Sequence, residues 1–199
     1  MPAAFSEEQQ ESIREELFQA GIRLSKSGGM QGMTVSRLAA AAGIAKGSFY
    51  HFFESKEAFI LALIAYAGEK LQQLFEEHLG DRECMTTHEF IDFLRDYMNS
   101  EYGLLNGLTL EDVMWLKTHM AEEKLFEPSA MVHTMQHFFS YLSDVREDVD
   151  MGILVNLMKG MHMMRESRDT MIEASLDKSM EVMFGMLEIY ISGKGELVL

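Results

Sequence analysis

Apolar residues recur along the whole chain at three- and four-residue intervals, and that period restricts it to packed helices. Ile13, Leu17, Ala20 and Leu24 set the pattern and predict a first helix over 6–27 that stops at Gly28-Gly29. Thr34 is an N-cap for a second helix that Gly43 ends early, and a short third segment covers 45–53. Ser55 caps a long apolar helix running to about residue 78, and a linker over 79–86 leads to another at 87–100. Further helices are expected at 109–123, 128–145, 150–167 and 169–192, with Pro128 in a first turn where its missing N–H costs nothing. No stretch alternates as a strand does, and no repeat or low-complexity tract interrupts the pattern. The expected class is all-α, with about nine helices.

Composition narrows the setting. With 47% apolar and 25% charged residues and only 2 Pro and 15 Gly in 199, disorder and collagen-like structure are excluded. The length suffices for a real core plus one small further domain. The single cysteine, Cys84, cannot form an intrachain disulfide, and the chain starts with polar and acidic residues rather than an apolar signal. A cytoplasmic location is therefore expected. The most apolar stretch, 58–67, falls short of the roughly 18 to 20 residues of a membrane span.

A net charge of −15 first looks hostile to nucleic acid. Its distribution reverses that impression. Residues 1–57 carry 6 basic and 7 acidic side chains, leaving 11 basic and 25 acidic on the remainder. Within 34–56, Arg37, Lys46 and Lys56 face Glu54 alone. This short segment can approach a phosphate backbone from which the rest of the chain is repelled.

The same segment reads as two short helices crossing steeply. Such a crossing needs a small residue at the approach, a residue tolerant of positive φ at the turn, and apolar anchors on the second helix. Ala39, Gly43 and the set Ile44, Phe49 and Phe53 stand at the required spacing. A helical wheel puts Ala45, Phe49, Phe52 and Phe53 on one side and Lys46, Gly47, Tyr50 and His51 on the other. That outer face suits a major groove: Lys46 can reach phosphate or a guanine edge, Gly47 allows close backbone approach, and Tyr50 and His51 can touch phosphate or base.

At these residues the sequence resembles the TetR family of bacterial transcriptional regulators. The resemblance covers about 13–63 and rests on Ala39-x-x-x-Gly43, on Lys46-Gly47-Ser48-Phe49-Tyr50-His51-Phe52-Phe53 and on Ser55-Lys56-Glu57-Ala58. It implies that Thr34 and Lys56 touch phosphates, that Lys46, Ser48, Tyr50 and His51 face the groove, and that a C-terminal helical domain dimerises and binds an effector. Ala45 departs from the family pattern, which commonly has a hydroxyl residue capping the recognition helix. The expected organisation is a helix-turn-helix domain over 1–54 and an effector-binding, dimerising domain over 55–199.

The C-terminal part speaks through composition. Eleven of the 18 methionines lie from Met131 onward. Methionine suits cavities that adapt to differing apolar shapes, and it also simply fills helical cores. Tyr97, Met98, Trp115, His119, Met135, Phe138, Phe139 and Met158 are candidates to line an effector pocket, although apolar residues at helical spacing are core by default. His133 and His137 share an i, i+4 spacing that metal ligands use, but without a cysteine cluster or carboxylate motif beside them no metal or other cofactor is assigned. His88-Glu89-Phe90-Ile91-Asp92 has Asp where a zinc protease helix needs its second His, and no nucleophile elbow, phosphate loop or dinucleotide fingerprint occurs, so no enzyme is expected. The last two helices carry apolar residues over more than one stripe (Ile153, Leu154, Leu157, Met158 and Met161, then Met180, Met183, Phe184, Leu187 and Ile191) and are expected to form a homodimer interface. The resulting expectation is a homodimeric repressor released from a palindromic double-stranded DNA operator by a small apolar effector. The alternative is a DNA-tethered module whose helical domain binds a protein partner.

Overall fold

The computed structural model describes residues 6–102, 110–120 and 128–194. Its elements are α1 (Glu7–Gly32), α2 (Val35–Ala41), α3 (Lys46–Phe49), α4 (Lys56–Leu79), α5 (Thr87–Asn99), α6 (Leu110–His119), α7 (Pro128–Phe139), α8 (Met151–Glu166), a 3-10 turn (Arg168–Thr170) and α9 (Glu173–Ser192). The described residues form no strand, only one isolated bridge between Met85 and Leu142. Two compact units result: residues 1–70 with 101–123, and residues 71–100 with 124–199. None of the described helices is long and apolar enough to cross a membrane.

In the first unit, Ser6 and Gln9 cap α1 reciprocally, the Gln9 N–H donating to Ser6 Oγ at 3.2 Å and the Ser6 N–H to Gln9 Oε1 at 2.9 Å. The α-helix proper breaks at Gly28-Gly29, as the sequence indicates, because Gly29 takes φ +62°. Leu17, Ala20, Ile22, Met30, Leu38, Phe49, Phe59 and Leu63 fill the core. Gly21 lets α1 and α4 approach closely, since a Cβ there would meet Leu63 at 2.8 Å and Phe59 at 2.9 Å. Phe18 stacks on Tyr66 and meets the edge of Phe53, continuing the aromatic packing.

The second unit has a core of Phe75, Phe90, Phe93, Phe138, Met158, Met161, Phe184 and their neighbours. Thr86 and Glu89 make a second capping box at the start of α5. The segment expected as one helix over 128–145 ends at Phe139. Beyond it the chain pairs sideways, the Met85 N–H donating to the Tyr141 carbonyl at 2.9 Å and the Ser143 N–H to the Met85 carbonyl at 3.0 Å. Asp144 then accepts from the Thr87 N–H at 2.6 Å and the Thr87 hydroxyl at 2.8 Å, an arrangement incompatible with helical continuation. The helix expected over 109–123 spans only Leu110–His119 among the described residues. That expected over 169–192 is a 3-10 turn followed by α9.

Candidate nucleic-acid interface

The helix-turn-helix geometry follows from three local choices. Thr34 caps α2 by accepting the Arg37 N–H at 3.3 Å. Gly43 has φ +69°, so the turn uses the conformation that only glycine adopts without strain. Ala39 is buried where α2 meets its neighbours, and the Ile44 N–H reaches back to its carbonyl at 2.9 Å. The third segment is tighter than the helix expected over 45–53: α3 has four residues, and the His51 and Phe52 N–H groups then bond the carbonyls of Ser48 and Phe49 in three-residue steps. Ala45 makes no side-chain cap, consistent with its departure from the family pattern.

Phe49 and Phe53 are buried and pack with Phe59, while Lys46, Gly47, Tyr50 and His51 are exposed. Tyr50 keeps 51% of its surface in solvent. Ala45, grouped with the anchors on the wheel, is exposed instead, because it stands at the N-cap in extended conformation and not within the helix. Ser48 and Phe52 are half-buried. A Cβ on Gly47 would meet nothing within 4 Å, so this glycine serves no packing need inside the chain.

Two basic residues are committed to the unit itself. Arg37 stays exposed but donates through Nη1 to the Gly32 carbonyl at 2.6 Å, bracing the corner between α1 and α2. Lys56 is half-buried; its ammonium donates to the Met30 carbonyl at 2.7 Å and lies 4.4 Å from the Trp115 ring centroid. Burial lowers its pKa, with Glu57 opposing. Beside it the Met30 N–H donates to Asp112 Oδ1 at 2.6 Å, and Gln31 donates to Glu111 at 2.9 Å. A Cβ at Gly29 would fall 2.6 Å from Asp112 Oδ1, so that glycine serves both the turn and this contact. No local signal marks Asp112, because its partner lies 82 residues away in sequence.

Residues 17–63 match the family model described as bacterial regulatory proteins, tetR family. The chain is 32% identical to the HTH-type transcriptional repressor NemR of Escherichia coli over 96 residues, 47% of this chain and 48% of that protein. It is 38% identical to the repressor DhaR of a Mycobacterium over 65 residues, 33% of this chain and 29% of that one. The likeness to the TetR family is thus carried by the N-terminal part of the chain, residues 17–63. The chain is matched over about half the length of NemR, and over less of DhaR. Among solved TetR-family structures, the reduced form of E. coli NemR superimposes with TM-score 0.66 at 20% identity, covering 92% of this chain and all of that one. A regulator from Cytophaga hutchinsonii superimposes with TM-score 0.61 at 20% identity, covering 97% of this chain and all of the other. These likenesses establish the TetR fold across nearly the full length.

The residues expected at an effector site fall into two groups. Tyr97, Met98, Met135, Phe138, Phe139 and Met158 come together in the core of the second unit. Trp115 and His119 belong to the first unit, where their rings stack 4.3 Å apart. A cleft of about 440 Å³ opens in the second unit, and Met98 is the member of the expected set that lines it. Leu176, Met180 and Phe184 line it together with Arg95, Arg165 and Arg168. Those arginines are surrounded by no recognisable motif, which is why the sequence gives no warning of them. His133 and His137 are exposed, and the described residues contain no cluster able to hold a metal.

Proposed function

We propose that this protein is a DNA-binding transcriptional regulator that acts as a homodimer, most directly as a repressor released by a small effector bound in its helical second unit. The observation that carries the reading is the division of roles on α3 and its flank. Phe49 and Phe53 anchor the segment, while Lys46, Gly47, Tyr50 and His51 are exposed on its surface. In this arrangement Lys46 meets phosphate or guanine, Tyr50 and His51 meet phosphate or base edges, and Thr34 and Ser48 add hydroxyl contacts. Arg37 and Lys56 act chiefly as positioning residues, because their cationic groups already bond main-chain carbonyls within the unit.

Dimerisation is supported by apolar surface left open on the last two helices. In α8, Leu154, Met158 and Met161 are buried while Ile153 and Met163 are exposed; in α9, Val182 and Met186 are exposed on the side opposite Met180 and Phe184. Such two-sided helices match a two-fold four-helix interface. Two symmetric heads then call for a palindromic operator with half-sites about one helical turn apart. Sequence selection from a pool of random duplexes tests this: an enriched palindrome supports the reading, and recovery of no preferred sequence rejects it. With that duplex in hand, any inducer must weaken operator binding by the factor by which operator weakens inducer.

A further inference from the structure

We infer that the cleft bounded by α5, the end of α8, the 3-10 turn and α9 takes a monoanionic amphiphile, its carboxylate in the fork of Arg165 and its apolar body on Met98, Leu176, Met180 and Phe184. The inference rests on the reading of the second unit as the sensor and gives that sensor a ligand class.

The three arginines of the cleft differ in how far they are satisfied. Arg95 donates from Nε and Nη2 to Glu181 at 3.2 and 3.0 Å and from Nη1 to Asp92, and its guanidinium lies 5.0 Å from the Phe184 ring centroid. Hydrogen bonding to Glu181 is the main reason its pKa is raised. Arg168 bonds Glu173 at 3.2 Å through Nε. Arg165 is half-buried, donates from Nη1 to the Met98 carbonyl, and has no carboxylate within ion-pair distance among the described residues.

A half-buried guanidinium held by one neutral carbonyl keeps further N–H groups available to an anion in the cleft. The planar fork matches a carboxylate with two parallel hydrogen bonds. Apolar side chains alongside it, three of them from one stripe of α9, favour a ligand whose remainder is hydrocarbon. The volume of about 440 Å³ lies in the lower part of the roughly 300–1,000 Å³ range of small-molecule sites. Asp177 also lines the cleft, exposed and with no ion-pair partner among the described residues, and it disfavours ligands carrying more than one negative charge.

Isothermal titration of the full chain with octanoate, decanoate and 2-naphthoate, against 1-octanol and octylammonium as neutral and cationic comparators, tests the assignment. A carboxylate is expected to bind about tenfold or more tightly than either comparator, the factor that a charge-assisted hydrogen bond supplies. Arg165→Gln should weaken it about tenfold to a hundredfold, Arg168→Gln less, and Asp177→Asn should strengthen it. Arg165→Lys, which keeps the charge and a donor for the Met98 carbonyl, gives the same direction if the glutamine variant does not fold. No binding by any carboxylate, equal binding of 1-octanol, or indifference to both Arg165 substitutions would overturn the proposal. Release of the selected duplex is read separately: binding without release keeps the cleft and rejects the sensor reading, whereas release by a ligand indifferent to Arg165 keeps the sensor and rejects the cleft.

Discussion

The two compact units present their chemistry in opposite ways. In the first, the proposed DNA-binding face is a short exposed segment held by a few buried rings, and adjacent residues differ sharply: Phe49 is fully buried while Tyr50 is half in solvent. In the second, polar and apolar groups are mixed around a cleft, and two of the core methionines, Met98 and Met180, also line it. A surface that reads DNA needs particular side chains at fixed spacing, so its pattern is local. A cavity for a small molecule is assembled from distant helices, so its pattern exists only after folding.

The sharpest way to break this contrast is to exchange the duties of adjacent residues. Phe49→Ala removes a ring packed against Tyr50, Phe53 and Phe59 and should cost about 3–5 kcal/mol of unfolding free energy in a denaturant titration. Tyr50→Ala should stay within about 0.5 kcal/mol of wild type in the same titration, as exposed substitutions do. Equal losses at the two positions would mean that Tyr50 is an anchor too.

A smaller effect is expected at Asp112. Its carboxylate accepts the buried Met30 N–H at 2.6 Å, and Asp112→Ala should cost about 1.5–3 kcal/mol by removing a charged acceptor. A stability change near zero would show that water replaces it. This contact also marks the limit of what could be read in advance. Gly28-Gly29 is legible as a helix stop and Gly43 as a turn, because both requirements are local. Asp112 sits among ordinary helix residues, and its importance depends on a main-chain N–H in another helix. The end of α7 at Phe139 was hidden for the same reason, since pairing of Met85 with 141–143 competes with helix propensity that favoured continuation. The turn at Gly43 and the split between buried Phe49 and Phe53 and exposed Lys46, Tyr50 and His51 were legible in the sequence, with Ala45 and the length of α3 as the exceptions. Of the residues expected to line an effector pocket, Tyr97, Met98, Met135, Phe138, Phe139 and Met158 were legible as core, whereas the cleft's Arg165 was not legible at all.

Lys46→Ala should leave stability unchanged and weaken binding to the selected duplex, lowering the salt slope of log affinity by about one unit. Fluorescence anisotropy across a salt series measures it. An unaltered slope would remove Lys46 from the phosphate contacts.

The smallest expected effect concerns acid. Asp144 is partly buried, which raises its pKa, but the bonds from Lys194 and Thr87 outweigh burial and hold it below its ordinary 3.8. A depressed folded pKa means stability that is present above the unfolded value and is lost as pH falls through the folded one. The stability difference between wild type and Asp144→Asn should therefore shrink as pH drops below about 3.8. A difference constant through that range, measured by denaturant unfolding at stepped pH, would count against the ionised role of Asp144.

The most direct test of the central claim measures duplex affinity and unfolding in parallel for wild type and Tyr50→Ala, using the selected duplex at one fixed salt concentration. Separate duties for anchor and surface predict an affinity loss with superimposable unfolding curves. Unchanged affinity, or an affinity loss that tracks a matching loss of stability, would contradict the assignment of this face to DNA.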